Sequence, residues 1–158
     1  MALFLSTFTN KIDKKGRVSV PATFRAALGT EAYQGIVAYP SFVNDCVEAC
    51  GMTRMEHMYE SIDAMDPFSE EREAFASSIL GNSTQIPFDG DGRIVLPEKL
   101  IETAGVDEQA VFVGKGKMFE IWKPETFADH AEKMRELAKL HRSALRFSPK
   151  AGGVDAAI

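Results

Sequence analysis

DKKGRVSVPATF, residues 13–24, recurs as DGDGRIVLPEKL, residues 89–100. At an offset of 76 residues, Asp13 meets Asp89, Gly16 meets Gly92, Arg17 meets Arg93 and Pro21 meets Pro97. Val18, Val20 and Phe24 meet Ile94, Leu96 and Leu100, so the apolar positions repeat as well. A repeated unit is expected to be one supersecondary element that needs a neighbour to bury its apolar side.

Within the stretch, Asp13-Lys14-Lys15-Gly16 has turn chemistry: Gly accepts positive φ and Asp can bond nearby backbone amides. Val18-Ser19-Val20 alternates with the period of a half-buried strand. Pro21 cannot extend a ladder but suits the first turn of a helix. That helix is expected over residues 22–28, apolar through Phe24, Ala27 and Leu28, and ended by Gly29. Before the turn, residues 8–12 read as a strand. After the helix, Ile36-Val37-Ala38-Tyr39 and Cys46-Val47-Glu48-Ala49 read as two more, joined by a hairpin loop.

The second unit repeats this order with Ile86-Pro87-Phe88, the turn at 89–92, a strand at 94–96 and a helix at 97–104 stopped by Gly105. Val111-Phe112-Val113 and Met118-Phe119-Glu120-Ile121 close it. Glu48 matches Glu120 at an offset of 72, which predicts a second hairpin four residues shorter than the first. Each unit alone is near the size at which isolated domains become marginal, so the halves should pack on each other, on partner subunits, or both.

Two helices are expected between the units. Met52, Met55, Tyr59, Ile62 and Met65 recur at helical spacing. Asp66-Pro67 reads as the N-cap and first position of the next helix. Glu70, Glu71 and Glu73 then suit its dipole, and Phe68, Phe75, Ile79 and Leu80 supply apolar surface. Pro124 opens a C-terminal helix with Phe127, Ala131, Met134, Leu137, Ala138 and His141 on one face and basic residues towards its end. Residues 150–158 read as a disordered tail.

Cys46 and Cys50 are too few for a disulfide framework. With His57 they could suggest zinc, but a closed site needs a fourth ligand and the next histidine is His130, so buried free thiols are expected. No apolar run is long enough to span a bilayer, and the N-terminus lacks the pattern of a secretory signal, so a cytoplasmic protein without membrane contact is expected.

Net charge is −5, yet it is unevenly placed. Residues 1–30 carry Lys11, Lys14, Lys15, Arg17 and Arg25 against Asp13 alone, whereas residues 45–78 carry nine acids against Arg54 and Arg72. Such a polarised chain can present one sign of charge on one face.

The twice-occurring D-x-x-G-R-hydrophobic-x-hydrophobic-P element, with Glu120-Ile121-Trp122 closing the second copy, resembles the MraZ family across residues 5–142. The resemblance implies an α+β chain: two tandem SpoVT-AbrB units, swapped-hairpin-like β-barrels, with intervening and C-terminal helices. The units would span 7–54 and 83–126, with a helical linker at 55–82, a helix at 127–146 and a tail at 147–158. It further implies a ring-forming homo-oligomer that binds short direct repeats in double-stranded DNA. The sites would lie in the promoter of the division and cell wall gene cluster, usually to repress it. Asp13/Arg17 and Asp89/Arg93 match the element to which the family's DNA contacts are ascribed. In the second copy Gly90 and Asp91 replace Lys14 and Lys15, and Asp91 has the wrong sign for phosphate. The expected DNA contacts are therefore Lys11, Lys14, Lys15, Arg17 and Arg25, with Arg93 a lesser candidate. The first unit departs in ending on Cys50-Gly51 where the family often has an aromatic.

An arginine on a turn or strand can fork onto guanine O6 and N7 while lysines neutralise phosphates. The plainer alternative is that each arginine merely pairs with the aspartate of its own turn. About five basic groups per chain give weak binding, which several subunits on several repeats would strengthen by avidity.

Catalysis is disfavoured. An aspartic dyad of Asp13 and Asp89 lacks the supporting hydroxyls, and a calcium loop at 89–92 fails because Arg93 and Leu100 fall where oxygen ligands are needed. A G-x-x-x-x-G-K phosphate loop does not occur, and no cofactor is expected. The competing function is an antitoxin-like protein-binding module using the acidic middle of the chain.

Overall fold

The computed structural model describes residues 2–147. The expected tail from 150 onward lies outside the described residues. Residues up to Phe127 form one unit and those from Ala128 another.

In the first unit, copy one supplies β1 (Thr7–Lys11), β2 (Arg17–Ser19), α1 (Ala22–Ala27), β3 (Gly35–Pro40) and β4 (Val47–Cys50). Helices α2 (Met52–Asp63) and α3 (Glu70–Phe75) follow, α3 running on into a π-turn, Ala76–Leu80. Copy two supplies β5 (Thr84–Pro87), β6 (Arg93–Val95), α4 (Glu98–Ala104), β7 (Gln109–Gly114) and β8 (Phe119–Trp122), and α5 (Pro124–Leu140) begins directly after it.

The strands of the two copies interleave. One antiparallel sheet runs β1-β7-β8-β4-β3-β5, and β2 pairs with β6 in a separate two-stranded ribbon. Exchanging the copies turns the sheet order into its own reverse, so an approximate twofold relates the halves. It passes between Val18 and Ile94 in the ribbon and between Glu48 and Glu120 in the sheet, each pair directly opposite. Like charges facing each other across strands are unfavourable, and each glutamate has its own donors. Tyr39 donates its hydroxyl to Glu48 Oε1 at 2.8 Å. Trp122 Nε1–H donates to Glu120 Oε1 at 2.8 Å and Lys115 Nζ to Oε2 at 3.2 Å.

Period-two alternation fills the core between ribbon and sheet. Val18, Val20, Ile94 and Leu96 point inward from the ribbon and meet Ile36, Ala38, Val47, Ala49, Phe112, Phe119 and Ile121 from the sheet. Phe24 of α1 and Leu100 of α4 close it from the helices. The opposite sheet face is covered by Met55, Ile62 and Ile79 over Val37, Tyr39 and Cys50. Farther along, Phe127 packs at 5.9 Å on Trp122, beside Cys46. The two buried thiols thus belong to separate apolar clusters. Burial pushes the Cys50 thiol up to about 12 and also raises that of Cys46, which keeps both protonated and unreactive at neutral pH.

Several local expectations change. Helix α3 starts at Glu70 under Ser69, whose Oγ accepts from Arg72 N at 3.2 Å, because Asp66 is already occupied in a preceding turn with Phe68 N and Ser69 N. Phe68 sits in that turn and is 96% exposed. Tyr59 is exposed, and Met58 packs in its place. Gly105 ends α4 with φ +69°, but the chain leaves α1 through Leu28 in ordinary right-handed geometry, so Gly29 is not a left-handed cap. Tyr39 faces Glu48 as Val113 faces Glu120, an offset of 74, so only part of the four-residue difference lies in the hairpin. The remainder shortens the link from α4 to β7. Cys50-Gly51 has a local reason: a Cβ on Gly51 would sit 2.9 Å from Leu28 and 3.0 Å from Glu31. That close approach lets Glu31 Oε1 accept from Thr53 N and Oγ1, both at 2.9 Å, capping α2.

In the second unit, α5 continues to Leu140 and a short 3-10 turn follows at Arg142–Ala144. Met134, Leu137, Leu140, Leu145 and Phe147 are exposed there.

Candidate nucleic-acid interface

The two repeated turns close by the same bonds. In the first, Asp13 Oδ1 accepts from Lys15 N and Arg17 N at 2.9 Å, and Oδ2 accepts from Arg17 Nε at 2.7 Å. In the second, Asp89 Oδ1 accepts from Asp91 N at 2.8 Å and Arg93 N at 2.9 Å, and Oδ2 accepts from Arg93 Nε at 3.0 Å. The Arg17 and Arg93 amides are the foremost reason that the two aspartate carboxyls sit below their usual pKa, helped by the guanidinium contacts. Gly16 and Gly92 adopt φ +84° and +75°, which lets the turn reverse tightly. Their carbonyls then cross to the other copy: Leu96 N donates to Gly16 O at 2.8 Å and Val20 N to Gly92 O at 3.2 Å.

These turns deliver both arginines to the β2–β6 ribbon. Arg17 lies opposite Val95 and Ser19 opposite Arg93, all four on the outward face, because Val18 and Ile94 take the inward one. Arg17 and Arg93 are therefore diagonal neighbours. Both line one open groove of about 540 Å³ with Lys11, Asp13, Ser19, Glu108 and Gln109. Each guanidinium uses Nε on its aspartate, which fixes its plane; Arg93 Nη2 is also 3.7 Å from Asp91.

The remaining candidates fall in two places. Lys14 and Lys15 are exposed at the first turn's tip, and among the described residues neither makes an ion pair. Arg25 lies apart from them. Its Nε donates to Val20 O at 3.1 Å, and its guanidinium sits 2.7 Å from where a Cβ on Gly92 would be. A basic side chain from the first copy is thus brought to the second turn, the one that lacks lysines. The sequence signal was present: at the repeat offset Arg25 meets Ile101. Two outward residues escaped notice, Ser19 and Val95, because strand alternation alone does not reveal that β2 and β6 face each other.

Comparison with known proteins places the chain in a family. Residues 79–147 match the family described as "MraZ protein, putative antitoxin-like". A protein of Rickettsia bellii (strain OSU 85-389) named "Transcriptional regulator MraZ" is 52% identical over 147 residues, 92% of this chain and 98% of its own length. The chain belongs to the MraZ family. Proteins with the same name in Rickettsia akari and Rickettsia felis are 50% and 49% identical over 146 residues, again 92% of this chain and 98% of theirs. The groove and ribbon thus belong to an MraZ-family chain whose relatives are named regulators of transcription. Among the described residues no helix is long and apolar enough to cross a membrane.

Proposed function

We propose that this chain is a sequence-specific transcriptional regulator that grips double-stranded DNA with the β2–β6 ribbon. The observation that carries the reading is that Arg17 and Arg93, one from each copy, share the ribbon's outward face beside one groove. A two-stranded ribbon fits a major groove about 12 Å wide, where arginine forks onto guanine O6 and N7. An aspartate held on Nε orients each guanidinium and leaves the Nη nitrogens of Arg17 for a base edge, whereas Nη2 of Arg93 also lies 3.7 Å from Asp91. Lys11, Lys14 and Lys15 neutralise phosphates on one flank and Arg25 on the other. Arg93 is drawn more fully into the site than the lysine-poor second turn suggests.

The wider reading follows the family. Tandem SpoVT-AbrB units at 7–54 and 83–126 form swapped-hairpin barrels, and the chains assemble into a ring. The ring occupies short direct repeats at the promoter of the division and cell wall genes, its own included, and represses them. It acts at the nucleoid in the cytoplasm, without cofactor or catalysis. A ring compensates for the few cations per chain by raising the effective concentration at each further repeat.

Selection of bound sequences from random duplex DNA tests this with wild type, Arg17→Ala and Arg93→Ala. Wild type is expected to enrich a defined motif, and each variant to lose it. The loss should be greater for Arg17→Ala, since Arg93 is already shared between two carboxylates. Enrichment of no motif by wild type would move the reading to the antitoxin-like module.

A further inference from the structure

The ribbon's outward face breaks the twofold at one pair. At the repeat offset Arg17 meets Arg93, but Ser19 meets Val95. Val95 is 52% exposed, held outward directly across from Arg17, whereas its neighbours Ile94 and Leu96 are buried. Ser19 is exposed in the equivalent place across from Arg93. The flanks break the symmetry in the same sense: Lys14 and Lys15 on one side, Gly90 and the 81%-exposed Asp91 carboxylate on the other.

We propose that Val95 and Ser19 give the ribbon a direction on DNA. Val95 packs on the 5-methyl group of a thymine at one end, and Ser19 hydrogen-bonds a base edge at the other. This rests on the DNA-binding reading above. The thymine methyl is the apolar feature of the major groove, and an apolar side chain is its natural contact, whereas a serine hydroxyl both donates and accepts and discriminates less. Two like arginines alone would bind a site equally well in either orientation. An apolar reader on one side only, with lysines on one flank and a carboxylate on the other, makes the two orientations unequal.

The experiment uses the full-length chain and the duplex selected with wild type. Each thymine in turn is replaced by deoxyuridine, which lacks only the methyl, and affinity is read by fluorescence anisotropy. Wild type is expected to lose about four-fold at one position of the site, the worth of one buried methyl, and to be indifferent at its symmetry mate. Val95→Ser should bind thymine and deoxyuridine alike there while keeping its arginine-dependent preferences. Val95→Thr, which keeps the branched shape and one methyl, should fall between, and Ser19→Val should gain thymine discrimination at the mate. Sequence-specific wild-type binding that is indifferent to every such replacement overturns the proposal and leaves the DNA reading standing. So does discrimination that survives in Val95→Ser. Wild type without any sequence preference overturns both.

Discussion

The turns at 13–17 and 89–93 have the same hydrogen bonds and opposite surroundings. Aspartate, glycine and arginine recur in both, and each takes part in closing the turn: the carboxylate accepts from two amides and a guanidinium, and the glycine takes positive φ. Lys14 and Lys15 against Gly90 and Asp91, and Arg25 lying over Gly92 where Ile101 lies by Gly16, are free to differ. Residues shared by the copies build the scaffold. Residues that differ decide what each side of the scaffold touches.

The core is asymmetric in the same way, and this is where a substitution should have its largest effect. The Phe24 ring meets those of Phe4, Phe8, Phe112 and Phe119 at centroid distances of 5.3, 5.6, 6.5 and 5.0 Å. Its counterpart Leu100 is equally buried, but the strand positions matching Phe112 and Phe119 are Ala38 and Val47. Phe24→Ala should cost about 3–5 kcal/mol, with Leu100→Ala towards the lower end of the ~2–5 kcal/mol seen for buried leucines. Urea midpoints measure both. Equal losses would mean that the two halves are energetically equivalent despite their different side chains.

The turn glycines separate next. A Cβ on Gly16 would lie 2.7 Å from the carbonyl oxygen of Leu96, the residue whose N–H donates to Gly16 O, so the obstacle is backbone. On Gly92 its three nearest neighbours would all be atoms of the Arg25 guanidinium, which can swing aside. Both variants carry the left-handed strain of about 1–2 kcal/mol, so Gly16→Ala should be the more destabilising. Gly92→Ala should instead release Arg25 and weaken DNA binding more than it weakens the fold.

How much of this was legible depends on whether the cause was local. The turns, the strand alternation and the helix starts at Pro21 and Pro97 are set by neighbours in sequence, and the repeat exposes them twice. That β2 pairs with β6, and β1 with β7, depends on contacts between residues far apart, about which local periodicity is silent. The matching of Glu48 with Glu120 was visible in the offset, but not that the two stand face to face. Arg25 was legible as a cation and not as a neighbour of the second turn, because its position requires α1 to reach the other copy. Asp66 against Ser69 shows the local limit: two competent caps stood within one turn, and Ser69, whose hydroxyl donates to Asp66 O and still accepts from Arg72 N, caps the helix.

Charge at the turn tips should give a smaller effect. Asp91→Lys removes the carboxylate 3.7 Å from Arg93 Nη2 and copies the first turn's sign. It should raise DNA affinity and steepen the fall of log K with log salt by about 0.9, one added phosphate contact. Titration at several salt concentrations measures it. An unchanged slope would mean that the second tip points away from the backbone.

The smallest effect concerns acid. Asp13 and Asp89 both have carboxyl groups held below the ordinary 3.8, chiefly by the backbone amide of their own arginine. A carboxyl whose folded pKa is depressed contributes stability above its unfolded value, and that contribution disappears as pH falls through the folded one. The window therefore opens at about pH 3.8 and extends below it. Both groups are at the surface, where solvent screens their charge, so the effect is slight. Asparagine keeps one side-chain oxygen for the turn's amides, but its NH2 cannot accept from the arginine Nε, so it removes that contact along with the titration. Wild type should therefore lose thermal stability more steeply below pH 3.8 than Asp13→Asn/Asp89→Asn, with each single variant between. Because the two turns share their bonds, the singles should be nearly equal. If Asp13→Asn alone flattened the acid limb as far as the double variant, the second carboxylate would not be tied to its turn, and the likeness of the two would end at their geometry.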